Sequence, residues 1–109
     1  MSTRKVVEYL GQDGSAPFSD WFMRLDPYVA ARVTTALYRL EQGNLSHVKP
    51  VGQGVTEYRI DFGSGYRVYF GQDGSVLIIL LGGGSKKGQS ADIRLAQQRW
   101  RDYKSRKKE

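Results

Sequence analysis

Three consecutive runs of alternating residues, separated by short glycine-bearing turns, constrain this chain more than any other feature. Along Val55–Phe62 the set Thr56, Tyr58, Ile60 and Phe62 alternates with Glu57, Arg59 and Asp61. Along Tyr66–Phe70 the set Tyr66, Val68 and Phe70 alternates with Arg67 and Tyr69. A period of two is the signature of a half-buried strand. Residues facing each other across a hairpin point to the same side of the sheet, so the two apolar sets must meet. A two-residue loop at Ser64-Gly65 would mix the faces. The three-residue loop Gly63-Ser64-Gly65, with Gly65 left-handed, sets Phe62 opposite Tyr66, Ile60 opposite Val68 and Tyr58 opposite Phe70. The second face then pairs Asp61 with Arg67 and Arg59 with Tyr69.

The next turn carries Asp73-Gly74, a hairpin signal. A type I′ turn there places Leu77, Ile79 and Leu81 on the apolar face, opposite Phe70, Val68 and Tyr66. The run Val76–Leu81 holds no polar residue, as expected of a central strand covered on both faces. The chain then leaves through Gly82-Gly83-Gly84-Ser85-Lys86-Lys87-Gly88-Gln89, read as a glycine-rich turn bearing two lysines.

The remaining elements follow from local signals. Arg4–Leu10 reads as a strand, and Gly11–Ser15 as a turn whose five residues recur at Gly71–Ser75 through shared turn chemistry. Ser19 is the expected N-cap of a short helix reaching about Leu25. Asp26 caps a second helix with Pro27 at its first position, and Gly43 ends it. Its apolar positions Val29, Ala30, Val33, Ala36, Leu37 and Leu40 keep helical spacing. Asn44–Gly54 is a loop with a short strand near Val48–Val51. A last helix runs from Gln89 or Ser90 to about Lys104 on the stripe Ile93, Ala96, Trp100, Tyr103, followed by a basic, frayed tail at residues 104–109. The expected order is β-α-α-β-β-β-α. That makes one α+β domain over residues 1–109, a small antiparallel sheet with a helical hairpin on one face. The other face, partly covered, is left as a shallow basic concavity.

Several chemistries are excluded. With 109 residues and no cysteine there is neither a disulfide nor a thiolate metal site, and a single histidine, His47, makes no multi-histidine centre. His47 is a possible base, though a lone loop histidine is more often simply exposed. No basic-apolar-small leader opens the chain, and the longest apolar run, six residues, cannot span a bilayer. A soluble, cytoplasmic protein without cofactor is expected. Paired carboxylates, a serine elbow and a Walker loop are missing, and GGGSKKG lacks the Walker spacing.

Charge is unevenly placed. Residues 1–85 hold eight Lys/Arg and eight Asp/Glu, whereas residues 86–109 hold nine and three, so the formal +6 lies wholly in the last segment. The concavity would be built by Arg59, Arg67, Lys86 and Lys87, with Tyr69, Gln89 and Arg94 as substrate contacts. Arginines offer planar forks to phosphate oxygens, lysines add point charges, and tyrosine gives a face for a base. Such a set suits in-line attack of an RNA 2′-hydroxyl on its own phosphate, with cations stabilising the charge that gathers. It equally suits nucleic-acid binding without cleavage. A purely structural role is also open, with Arg67 paired to Asp61, Arg59 stacked on Tyr69, and the lysines in a wet turn.

The succession EYRIDFGSGYRVYF, then LIILLGGGSKKGQSADIRLAQQRW, resembles the RelE/HigB superfamily of toxins from bacterial toxin–antitoxin pairs, nearest the branch of addiction-module killer proteins. The resemblance implies a RelE-like fold and a cytoplasmic toxin that arrests growth by cutting mRNA on the ribosome. It also implies a cognate helix-turn-helix antitoxin, with operator DNA bound only through the complex. Arg59 matches the arginine before the first turn, Arg67 that of the R-V-Y strand, and Lys86 and Lys87 the basic pair after the apolar strand. Studied members carry a tyrosine or histidine near the chain end as acid or stacking group. Tyr103 falls on the core stripe here and is not given that role. The same fold serves ParE-like inhibitors of DNA gyrase, which cleave nothing, and an inactive member would act only within a repressor complex.

Overall fold

The computed structural model describes residues 3–107. Its elements are β1 (Lys5–Glu8), α1 (Pro17–Phe22), α2 (Pro27–Glu41), β2 (Val48–Pro50), β3 (Val55–Ile60), β4 (Tyr66–Asp73), β5 (Leu77–Ser85), a single 3-10 turn at Lys86–Gly88, and α3 (Gln89–Lys107). The five strands form one sheet in the order β1-β5-β4-β3-β2. The α+β class stands. The sheet is mixed rather than purely antiparallel, because β1 lies parallel to β5 with Lys5 beside Leu77 and Glu8 beside Leu80.

Both hairpin registers differ from the expected ones, for separate reasons. Between β3 and β4, Ile60 faces Tyr66, Tyr58 faces Val68, and Arg59 faces Arg67. The loop is five residues long because Phe62 leaves the strand. Its N–H bonds to the Ile60 carbonyl (3.1 Å), and Gly65 N–H closes a turn on Phe62 (3.0 Å). The displacement is two residues, so both faces keep their composition. Between β4 and β5 the displacement is odd. Asp73 faces Leu77 and Phe70 faces Leu80 across the loop Gly74-Ser75-Val76. This turns Ile78 and Leu80 toward α1 and α2, and Ile79 and Leu81 to the opposite side. The expectation that Leu77, Ile79 and Leu81 share the face of Val68 and Phe70 is therefore overturned. A bulge follows Leu80, with Gly82 at φ 147°, so Leu81 is the extra residue.

The side of the sheet expected to stay half open carries a second core. Tyr9, Val55, Tyr69, Ile79 and Leu81 lie under Ala96 and Trp100 of α3, and the predicted stripe Ile93, Ala96, Trp100, Tyr103 is what docks. On the first side, Val33, Ala36 and Leu40 of α2 and Phe18 of α1 cover Tyr58, Ile60, Val68, Phe70, Ile78 and Leu80. The three successive glycines are strand residues, and each lets a side chain cross close to the backbone. A Cβ at Gly83 would overlap the indole of Trp21, one at Gly84 the carboxylate of Asp92, and one at Gly82 would stand 2.7 Å from the Arg99 guanidinium.

Caps follow the residues in part. Asp26 accepts from the N–H of Tyr28 (2.9 Å) and Pro27 opens α2 as expected. Ser19 does not cap α1. Ala16 holds that position without a side-chain bond, and the Ser19 hydroxyl donates instead to the Glu8 carboxylate (2.7 Å). The basic tail at 104–109 is helical through Lys107. Lys108 and Glu109 lie outside the described residues.

Two tyrosine–aspartate–cation clusters hold the last turns of α3. Tyr9 donates to Asp102 (2.7 Å), which also meets Arg106 (2.8 Å). Tyr103 donates to Asp73 (2.6 Å), which also pairs with Lys107. The bond from Tyr9 holds the Asp102 carboxyl below the usual carboxylate range, and Lys107, then Tyr103, does the same for Asp73. Burial, with the bond to Asp73, pushes the Tyr103 hydroxyl up to about 12. Carboxyls depressed on folding stabilise above their unfolded value near 3.9, and that stability is lost as pH falls through the folded values. Melting temperature is therefore expected to drop below about pH 4, and to drop less in the D73N/D102N double variant. Thermal melts across that range check this.

Candidate nucleic-acid interface

At the end of the sheet beyond the first turn of α3, the polar positions of β3 and β4 stay clear of Trp100. Arg59, Arg67 and Lys86 line one depression there, floored by the loop Phe62–Gly65. Alternation puts Arg59 and Arg67 on the same face, and their register sets them directly opposite each other. Like charges so placed repel, and two acids offset this. Asp61 lies 3.5 Å from Arg59 Nε in an exposed pair, and Glu57 lies 3.4 Å from Arg67 Nε in a buried one. The expected partnership of Asp61 with Arg67 is thus replaced, because the longer loop carries Asp61 out of the strand.

Glu57 organises this end of the molecule. Its side chain is 1% exposed, accepts from Gln89 Nε2 at 2.9 Å and has Lys49 Nζ at 4.0 Å. It ties β2, β3, β4 and the start of α3 together. Sequence reasoning missed it as a site residue. The available signal was its place on the polar side of β3, two residues before Arg59.

Arg67 is the unusual group. Its side chain is 9% exposed, and Nε and Nη1 are buried without a hydrogen-bond partner among the described residues. Nε faces Glu57 at ion-pair distance but out of hydrogen-bond alignment. Buried N–H groups left unbonded cost free energy, so a ligand oxygen reaching them would recover it.

The other predicted residues divide. Lys86 joins the two arginines, while Lys87 and Arg94 are exposed but do not line the depression. Gln89 is engaged with Glu57. Tyr69 is withdrawn altogether, 1% exposed beneath α3, with burial pushing its hydroxyl pKa upward ahead of the effects of Glu57 and Asp92. It offers no face to a base. The basic excess of α3 is also partly spent inside the chain. Arg99 donates to the Leu81 carbonyl (2.9 Å), Arg106 meets Asp102, Lys107 meets Asp73, and Lys104 lies over Trp100 (5.7 Å).

This five-stranded α+β architecture with a C-terminal helix is of the RelE-like kind. The chain belongs to the family described as phage-derived protein Gp49-like (DUF891), whose model matches residues 20–101. That family is associated with toxin–antitoxin systems of the RelE/HigB type. The match includes Glu57, Arg59, Arg67 and Lys86 and leaves out β1. An uncharacterized protein of Haemophilus influenzae is 42% identical over 81 residues, covering 73% of this chain and 82% of that relative. No helix among the described residues is long and apolar enough to cross a membrane.

Proposed function

We propose that the protein is the toxin of a bacterial toxin–antitoxin pair and acts as a ribosome-dependent endoribonuclease on mRNA. One observation carries this reading: Arg67, its side chain nine-tenths buried with Nε and Nη1 unbonded, lines a depression together with Arg59 and Lys86. A phosphodiester oxygen would take up those donors. The RNA 2′-oxygen attacks the adjacent phosphorus in line. The new O–P bond forms as the bond to the 5′-oxygen breaks, leaving a cyclic phosphate and a 5′-hydroxyl. The proton lost by the 2′-hydroxyl is balanced by one gained at the leaving oxygen. Negative charge on the non-bridging oxygens peaks midway, and preorganised cations in a partly dry site act most strongly there. A helix-turn-helix antitoxin would neutralise the toxin and carry the complex to operator DNA.

The test adds purified protein to translating ribosomes. Cut mRNA with 5′-hydroxyl ends is expected. Intact mRNA with stalled DNA supercoiling would replace the reading with gyrase inhibition. Intact mRNA and unaffected supercoiling, with tight antitoxin binding, would leave only the repressor role.

A further inference from the structure

The depression beside Arg67 is not closed on its far side. Two further hollows adjoin it, and all three share Arg59 and Asp61. The nearer one runs past His47 and Lys49 along β2. The farther one, about 340 Å³, lies between β3 and the exposed flank of α2, where Arg32, Thr35 and Arg39 meet His47. That volume is within the range of small-ligand pockets. Together the hollows make one groove that crosses the edge of the sheet.

The charge along it is one-sided. Of the eight lysines and arginines in residues 1–85, five (Arg32, Arg39, Lys49, Arg59 and Arg67) line this groove. The groove's acids, Glu57 and Asp61, each already face an arginine. Arg32 lies over the Phe62 ring at 4.6 Å, which fixes it beside the loop. Arg39 is two helical turns further along α2, about 10.5 Å by helix geometry, and makes no side-chain bond or ion pair among the described residues. A segment neutral in total has thus gathered its cations into a single track.

We infer that this groove holds a second phosphate subsite, formed by Arg39 and His47 across the Arg59 ridge from Arg67, so that one single-stranded RNA is gripped on both sides of the ridge. The inference rests on the RNA reading above and deepens it. Single-stranded RNA is the fitting occupant because a track of spaced cations recognises a repeating backbone charge rather than one compact anion.

The experiment measures anisotropy of a 2′-O-methyl RNA decamer, which cannot be cleaved, and competition by a trinucleotide of the same chemistry. Arg39→Ala, on an exposed helical position that alanine suits, is expected to weaken decamer binding several-fold. It should make the salt dependence shallower by about 0.7 in log–log slope and leave the trinucleotide unchanged. Arg39→Lys should restore the slope. Decamer binding by Arg39→Ala equal to wild type in affinity and slope overturns the second subsite. If Arg67→Lys still weakens the decamer in that case, the RNA reading survives. If wild-type protein binds neither RNA, the second subsite falls, while cleavage of mRNA on translating ribosomes decides the RNA reading separately.

Discussion

Arg67→Lys is expected to abolish growth arrest while the protein stays folded, whereas Arg67→Ala is expected to lose both activity and stability. The difference comes from Glu57. Its carboxylate is 1% exposed and faces the Arg67 guanidinium. Removing one member of a buried ion pair typically costs about 3–5 kcal/mol, because the other charge is left uncompensated. Lysine keeps a positive charge near Glu57 but has no planar fork. It cannot present two fixed N–H groups to a phosphate while facing the carboxylate. Loss of one preorganised donor to a developing oxyanion lowers turnover by roughly 10²–10³. Growth arrest on induced expression, mRNA cleavage in a translation extract and a thermal melt, run on both variants, separate the two effects. Wild-type arrest in Arg67→Lys would remove the guanidinium from the chemistry. A wild-type melting temperature in Arg67→Ala would show that Glu57 does not need it.

The second large effect is expected at two glycines on opposite sides of the sheet. A Cβ at Gly71 would stand 2.5–2.6 Å from three ring atoms of Trp100, and one at Gly83 would overlap the ring of Trp21. Neither indole has an easy retreat. Trp100 is buried and stacked on Tyr103 at 5.2 Å between centroids. Trp21 is half-buried and packs against Phe18 at 5.8 Å. Overpacking a filled core costs about 1–3 kcal/mol. For a domain of this size Gly71→Ala or Gly83→Ala should lower the melting temperature by roughly 5–15 °C. Gly74→Ala serves as the comparison. It meets nothing within 4 Å but has φ +71°, so it reports backbone strain without a clash. Equal losses at all three positions would mean that close packing is not the reason for the glycines.

Much of this was legible in the residues, and the failures have physical causes. Alternation assigned the faces of β3 and β4 correctly, since a two-residue slip conserves parity. It could not assign β5, where Val76–Leu81 is apolar throughout and either parity reads the same. The turn then decided the matter, and Asp73-Gly74 is compatible with a two-residue loop as well as the three-residue one that forms. The stripe Ile93, Ala96, Trp100, Tyr103 gave the docking side of α3, but no residue announced that it docks on the face of Arg59 and Arg67. Tyr69 was therefore read as a stacking platform when it is core. Glu57 escaped notice because a buried carboxylate is recognised only once Gln89 and Arg67, distant in sequence, are seen against it. The formal charge also misled. The basic end of the chain is partly absorbed by its own carbonyls and carboxylates, while cations spread thinly between Arg32 and Arg67 converge.

The parallel pairing of β1 with β5 bears on when the molecule becomes complete. Lys5 must wait for Leu77, and closing so long a loop makes sheet formation slow. A chain still emerging from the ribosome cannot seal its sheet until Leu77–Leu80 have been made. Lys86 and Gln89, which finish the cationic end, come later still. Synthesis order alone thus leaves the Arg67 depression unfinished until the residues just past β5 have followed it off the ribosome.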